Sequence, residues 1–418
     1  MIFAYTLSVW FYYLLIKLAS PFHKKARQWL EGRKNIFSRL EKAFEKNTHP
    51  VVWFHAASLG EFEQARPVIE GFRSQHPTHK ILLTFFSPSG YEVRKNYEGA
   101  DYIFYLPLDT LSNVERFIRI VKPQTALFVK YEFWHYYISE LHKNNIPVIS
   151  FSAIFRQEQI FFKPYGNFYR AILSRFSKIF VQDQQSLDLL RSTQLNNAEA
   201  AGDTRFDRVK QICDRKKEIS IAQAFKNNKK LLVIGSAWKE DMEVLIPFIN
   251  QFKEEIKIIV APHEIKKEEI QAWIKVLNKR SVLFSEASET NVSEKDILFI
   301  DNIGMLSSLY QYAEFAYIGG AFGKGLHNTL EAVTFGMPVF FGPNYSKFKE
   351  ARDLIRMKIA FSVRSTETFA KSFEEFYTQD DVRIQTALKA KEYILENTGA
   401  SEKIIQYLNS LLSKQKAS

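Results

Sequence analysis

Residues 51–67 read VVWFHAASLGEFEQARP. The run from Val51 to Ala57 is apolar almost throughout, stops at Ser58-Leu59-Gly60, and is followed at once by two acids, Glu61 and Glu63. A continuous apolar run that gives way to helix-start chemistry is the pattern of a parallel strand, covered on both faces, handing over to a crossover helix. Two roles compete for Glu61. Ser58-x-x-Glu61 has the spacing of a capping box, in which the serine bonds the Glu61 amide and the glutamate reaches back to the Ser58 amide. Alternatively the carboxylate points away from the helix and accepts a proton from a substrate.

Working outward, the same pattern repeats. Strand candidates VVWFHAA, KILLTFFS, YIFYLP, TALFVK, PVISFSA and KIFVQD alternate with amphipathic segments such as SNVERFIRIV and WHYYISELHKNN. Residues 208–229 are charged, lack a strand pattern and read as an interdomain linker. The alternation then restarts with KLLVIGS, IKIIVAPH, SVLFSE, DILFID, EFAYIGG, MPVFFGP and IAFSV. The class is therefore α/β, with two doubly wound, Rossmann-like halves. The expected boundaries are an apolar and basic anchor over 1–35, an amino-terminal domain over 36–210, a linker over 211–229, a carboxy-terminal domain over 230–385 and closing helices over 386–418. Ligands of open α/β sheets bind beyond the carboxyl ends of the strands, so the two halves are expected to face each other across a cleft lined by those ends.

The chain has 418 residues, is 46% hydrophobic and 15% aromatic, and so has ample material for packed cores. One cysteine, Cys213, leaves no internal disulfide framework. The net charge of +11 favours anionic partners without choosing among nucleic acid, lipid headgroups and small phosphorylated substrates. The first residues narrow that choice. Met1 to Ile16 carry no charged side chain, and Lys17, Lys24, Lys25, Arg27, Arg33 and Lys34 follow. That run falls short of the ~20 residues usual for a bilayer span. Trp10, Tyr12 and Tyr13 are interface-favouring types, and the basic cluster suits anionic lipid on a cytoplasmic face.

The most specific segment of the second half is YIGGAFGKGLHNTLEAVTFGMPVFFGP, residues 317–343. Glycines after a strand let backbone approach a phosphate, and a helix expected near Asn328 offers unpaired amides. Asn328 and Glu331 are three apart and share a helical face, so both can meet a ligand, the carboxylate accepting from ribose hydroxyls. The spacing matches neither G-x-G-x-x-G nor a Walker loop, and a tight loop with an asparagine cap explains the same residues. Pro262-His263 ends another strand, and Ile303-Gly304-Met305 opens another helix; both are candidates for contacting phosphate. No H-E-x-x-H, C-x-x-C or D-x-D occurs, so no metal site and no cofactor are expected.

Taken together, HAASLGE, YEFW, GDTRFD, APH, DNIGMLSSLY, YIGGAFGKGLHNTLEA and GPNYSKF resemble the Kdo transferases of Gram-negative bacteria over nearly the whole chain. The resemblance implies a GT-B fold and transfer of 3-deoxy-D-manno-oct-2-ulosonic acid (Kdo) from CMP-Kdo to the lipid A precursor, lipid IVA, with inversion and without a metal. It implies Glu61 as general base. Pro262, His263, Ile303, Gly304, Met305, Asn328, Thr329, Leu330 and Glu331 would hold CMP. Arg205 stands where the family usually has lysine and would stabilise developing charge. Lys130 stands where an acid is common, which leaves the stabilising role to Lys130 or to Glu132. His263 replaces the usual arginine. The implied setting is the cytoplasmic side of the inner membrane, with anionic lipids as partners and no nucleic acid. A transferase using a UDP-sugar, and a membrane-tethered binding module for anionic partners, are the alternatives; protection by CMP rather than UDP separates the first, and salt-dependent nucleic-acid binding without transfer the second.

Overall fold

The structure, a computed structural model, describes residues 1–418 apart from Lys216, Lys324 and Ser418. The chain divides into two units, residues 1–208 with 398–418, and residues 209–397. The first holds a seven-stranded sheet built from β1 (Val51–Ala56), β2 (Lys80–Phe85), β3 (Tyr102–Tyr105), β4 (Pro123–Val129), β5 (Val148–Ala153), β6 (Lys178–Val181) and β7 (Ala198–Ala200). Its order is β3-β2-β1-β4-β5-β6-β7, and every pairing is parallel. The second holds β8 (Leu231–Ala237), β9 (Lys257–Pro262), β10 (Ser281–Leu283), β11 (Ile297–Phe299), β12 (Phe315–Ile318), β13 (Val339–Phe341) and β14 (Ala360–Ser362), in the order β10-β11-β9-β8-β12-β13-β14 and again all parallel. The expected two doubly wound domains are present.

The period-two alternation of β1 sets the core of the first unit. Val51 and Trp53 face one layer, while Val52, Phe54 and Ala56 face the other, and all five are buried. Both faces are covered, which is why these strands read as unbroken apolar runs. The edge strand β7 carries Ala-Glu-Ala with its middle residue exposed; it is too short and too polar to register as a strand in the sequence.

The closing helices expected over 386–418 are two. The structure divides them: the helix Asp380–Glu396 goes with the second unit, and the helix Ala400–Ala417 packs in the first. Ile404, Leu408 and Leu412 recur every four residues and enter the layer formed by Phe72 and Val68. Asp207 fixes the entry, accepting from the Gly399 amide at 2.6 Å and the Ser401 amide at 2.7 Å. The charged stretch read as a linker takes in the end of the helix Thr204–Asp214 and the whole of the helix Ser220–Lys226.

Three helices precede β1: α1 (Ile2–Ala19), α2 (Lys24–Arg33) and α3 (Ile36–Phe44). Arg33 staples α2 to the carboxyl ends of β2 and β3, donating to the carbonyls of Phe86 (2.8 Å) and Leu106 (2.9 Å) while its guanidinium lies 3.8 Å above the Trp29 ring. Burial pulls its pKa down to about 9, which leaves it charged at neutral pH. α1 is 18 residues long and apolar enough to cross a membrane by length and composition. Its Tyr5 hydroxyl donates to Asp109, a carboxyl that burial drives up to about 6 against the restraint of hydrogen bonds from Tyr5, Tyr136 and Tyr137.

Candidate active site

In each sheet the strand order reverses at one place, and there the loops after the strands splay apart. In the first unit the reversal lies between β1 and β4, so the residues following those strands are Ser58–Glu61 and Lys130–Glu132. Leu59 to Gln75 form the next helix, α4, and the capping box is real. Glu61 Oε2 accepts from the Ser58 amide and from the Ser58 hydroxyl, each at 2.7 Å. Glu61 is half-buried, and its Oε1 accepts no hydrogen bond from a described residue. One carboxylate oxygen is therefore committed to the helix start and the other is left for a visitor. The two roles weighed for this residue occupy different atoms.

A buried chain of hydrogen bonds supports this corner. Trp53 Nε1 donates to Thr84 Oγ1 at 2.8 Å, and Thr84 Oγ1 lies 2.8 Å from His55 Nδ1. The alternative acceptor for the threonine proton, the Phe54 carbonyl, is 3.5 Å away. The proton therefore goes to Nδ1, and Nε2 carries the imidazole hydrogen. That hydrogen points at Glu132 Oε2 (3.2 Å), which also accepts from Trp134 Nε1 at 2.7 Å. Glu132 is thus held across the reversal, from β1 to the segment after β4. His55 supplies this bridge from a strand interior, where sequence gives no cue beyond a polar residue in an apolar run.

Lys130 sits at φ 58°, in the left-handed region, as does the buried Ser152 (φ 52°) at the end of β5. Such backbone costs of order 1–3 kcal/mol at a non-glycine residue and concentrates at functional sites. Tyr131, with its hydroxyl pushed up chiefly by burial, senses Arg156, Asp183 and Glu61, so groups following three other strands converge on it. Arg205 lies beside Asp203, donating its backbone amide to Oδ1 (3.0 Å) and Nε and Nη2 to Oδ2 (2.8 and 2.7 Å). Burial alone would raise Asp203; the Arg205 charge and hydrogen bonds outweigh it and leave the carboxyl below its ordinary range. Gln64 and Thr204 tie this pair to α4, with Gln64 Nε2 donating to Asp203 (2.8 Å) and Thr204 Oγ1 to the Gln64 carbonyl (2.7 Å).

In the second unit the reversal lies between β8 and β12. Asp241 closes it. The fully buried carboxylate accepts from the Trp238 amide (3.0 Å), the Gly320 amide (2.8 Å) and the Tyr317 hydroxyl (3.0 Å). A Cβ on Gly319 would fall 2.2 Å from the Ser236 carbonyl, and Gly320 has φ +95° with no room for one. These two glycines are needed for the protein's own backbone to cross, independently of any phosphate. Lys324, inside the glycine-rich loop, lies outside the described residues.

Three rings stack above this point. Trp238 lies on His263 (centroids 4.4 Å, 25°), and His263 lies on His327 (4.2 Å, 26°). Trp238 Nε1 donates to His327 Nε2 at 3.0 Å, which requires that nitrogen to be unprotonated. Burial, with a smaller push from His263, lowers the His327 pKa to about 4. His263 itself is exposed, and Pro262 beside it is half-buried. His327 and Trp238 were not singled out from sequence: Trp238 directly follows β8, and His327 lies nine residues beyond the end of β12.

Ile303 and Gly304 are exposed on the turn before the short helix Leu306–Leu309. Leu330 and Glu331 open the four-residue helix Leu330–Val333, whose N-cap is Thr329, and Asn328 just before it accepts from the Leu330 amide at 3.2 Å. Glu331 joins the two turns: Ser307 Oγ donates to its Oε2 (2.5 Å) and Asn328 Nδ2 to its Oε1 (3.0 Å). A nucleotide hydroxyl reaching Glu331 has to share an oxygen already in use. Thr329 is 1% exposed and its hydroxyl has no hydrogen-bond partner among the described residues.

Residues 34–208 match the family described as 3-Deoxy-D-manno-octulosonic-acid transferase (kdotransferase). The chain is 26% identical over 386 residues to the 3-deoxy-D-manno-octulosonic acid transferase of Rickettsia prowazekii, covering 88% of this chain and 80% of that one. It is 27% identical over 349 residues to the protein of the same name from Aquifex aeolicus, covering 81% and 90%. Among solved structures, a putative UDP-N-acetylglucosamine 2-epimerase from Listeria monocytogenes superimposes with a TM-score of 0.62 at 11% identity, over 88% of this chain and 98% of the other. MurG from Acinetobacter baumannii gives 0.56 at 12%, over 86% and 99%. These two share the fold.

Proposed function

The chain belongs to the 3-deoxy-D-manno-octulosonic acid transferase family of glycosyltransferases, and on that premise we propose that it moves Kdo from CMP-Kdo to a lipid A precursor, lipid IVA, at the cytoplasmic side of the inner membrane. The observation that carries the chemistry is the divided carboxylate of Glu61: Oε2 bound to the helix start, Oε1 open, on the rim where β1 ends. In this reading Oε1 takes the proton of the acceptor hydroxyl as that oxygen attacks the anomeric carbon. The new carbon–oxygen bond forms on the face opposite the departing group, the bond to the phosphate oxygen breaks, and CMP leaves with the electron pair, inverting the centre.

CMP belongs to the second unit in this reading. The turn Ile303–Met305 and the residues Asn328 and Thr329 before the helix offer amides to the phosphate, and the stacked His263 faces solvent beside them. Glu331 takes the ribose, exchanging one of its present donors for a sugar hydroxyl. Arg205, held beside Asp203, stabilises developing charge, and Lys130 holds an anionic group of the sugar or the acceptor or leaves the stabilising role to Glu132. No metal takes part. The apolar α1 and the family point to membrane association; the basic residues after α1 favour the anionic cytoplasmic leaflet.

Mass analysis of the product from CMP-Kdo and lipid IVA tests the reaction: one or more Kdo mass increments on the acceptor are expected, and transfer only from UDP-sugars would refute it. Thermal protection by CMP but not UDP is the corresponding binding result.

A further inference from the structure

α1 is fastened to the first unit at both ends. Near its start, Tyr5 donates to Asp109 and Thr6 lies 2.6 Å from the Tyr136 hydroxyl; further on, Tyr12 and Tyr13 pack on Trp29. A helix crossing a bilayer would carry its first turns away from the folded unit, whereas this one lies along it. Its outer face, with Phe3, Leu7, Phe11, Leu14 and Leu18, is exposed, and Phe22 follows at 93% exposure. One face of α1 is thus held by the first unit while the apolar outer face is left for a bilayer to cover.

Beside it opens a cavity of about 720 Å³, within the range of small-molecule sites. Trp10 and Tyr13 of α1, Trp29 and Leu30 of α2, Phe37 of α3 and Leu108 after β3 wall it. At its rim stand Lys17 and Lys34, both exposed and in no ion pair among the described residues. Arg116 also reaches the rim but is paired with Glu41 at 2.8 Å, and Glu31 is the one carboxylate on the lining. Trp10, half exposed, belongs both to the outer face of α1 and to the cavity wall, so the cavity opens where α1 meets the headgroups.

We propose that this cavity takes one acyl chain of an anionic phospholipid from the bilayer on which α1 lies, with the headgroup phosphate over Lys17 and Lys34. The apolar wall suits a chain, since each buried methylene strengthens lipid association, and two unpaired lysines at the mouth select a negative headgroup over a zwitterionic one. Bilayer lipid is the neighbour present at highest concentration at that depth. The cavity lining includes none of the candidate site residues.

The test uses the full-length protein on vesicles of phosphatidylglycerol carrying a photoactivatable group in the acyl chain, with adducts mapped by mass spectrometry. Adducts are expected on Leu30, Phe37 or Leu108 as well as on the outer residues of α1. Ser38 lines the cavity from an exposed position and makes no hydrogen bond among the described residues, so Ser38→Phe blocks the space without unfolding α3. It is expected to remove the inner adducts at least fivefold while leaving the outer ones, and Lys17→Glu with Lys34→Glu is expected to do the same. Outer adducts alone, no adducts at all, inner adducts that survive Ser38→Phe, or equal inner labelling from phosphatidylcholine vesicles would each overturn the proposal. So would loss of the inner adducts on adding one equivalent of a phosphorylated, acylated glucosamine disaccharide, which would assign the cavity to the acceptor instead.

Discussion

Replacing Glu61 by glutamine separates the two duties of that side chain. The amide oxygen of glutamine still accepts from the Ser58 amide, now 2.7 Å from Oε2, so the helix start is largely kept. Loss of a complete N-cap costs about 1 kcal/mol, and Glu61→Gln is expected to stay below that. In a unit of this size 1 kcal/mol moves Tm by about 2–4 °C. A glutamine amide cannot take the acceptor proton, and removal of a general base lowers turnover by about 10²–10⁴, which corresponds to about 3–5 kcal/mol on the barrier. Ser58→Ala is the reciprocal change: it removes the hydroxyl that donates to Oε2 and leaves the carboxylate in place. It is expected to lower Tm by about 2–4 °C with turnover close to that of the parent. The assay pairs calorimetric Tm with initial rates of Kdo transfer, corrected for folded fraction. If Glu61→Gln keeps turnover within tenfold of the parent and instead melts well below Ser58→Ala, Glu61 is a cap and the proposed base is wrong.

Asp241→Ala leaves two buried amides and the Tyr317 hydroxyl without their acceptor, at about 1–3 kcal/mol for each orphaned donor, so the second unit should melt first in a calorimetric scan while the first unit's transition stays put. Chelation by EDTA should leave the transfer rate unchanged; a rate restored only by added magnesium would contradict the metal-independent mechanism. His327, with a folded pKa near 4 against 6.5 unfolded, binds more protons when unfolded, so its contribution to stability is full above about pH 6.5 and is lost as pH falls towards 4. Partial exposure discounts the size, and at most about 1.4 kcal/mol per pH unit is available from one proton; unfolding free energy of His327→Gln should therefore fall less steeply between pH 6.5 and 4 than that of the parent, and equal slopes would refute the assignment.

The strands were legible because a strand buried on both faces is apolar at nearly every position: Val51 to Ala56 (apart from His55), Leu231 to Ile234 and Phe315 to Ile318 carry their burial in their composition. β7 was not, because an edge strand of three residues held by pairing alone leaves no such trace. The candidate site shows the same division. Ser58 and Glu61, or Asn328 and Glu331, are three residues apart and meet through the geometry of one helical turn, which sequence spacing encodes. His55 and Glu132, Asp241 and Gly320, and the ring stack of Trp238, His263 and His327 come from distant strands. They meet only because the parallel order reverses between β1 and β4, and between β8 and β12.

The chain by itself determined that there would be two doubly wound sheets, an apolar leading helix and acids at the starts of helices, since all of these follow from periodicity and short-range hydrogen bonding. Tertiary structure decided which oxygen of Glu61 is occupied, that Asp207 draws the final helix back to the first unit, and that α1 lies flat against that unit beside a cavity. Those outcomes depend on contacts between residues far apart in the chain, whose approach is set by packing and by the satisfaction of buried polar groups rather than by any local pattern.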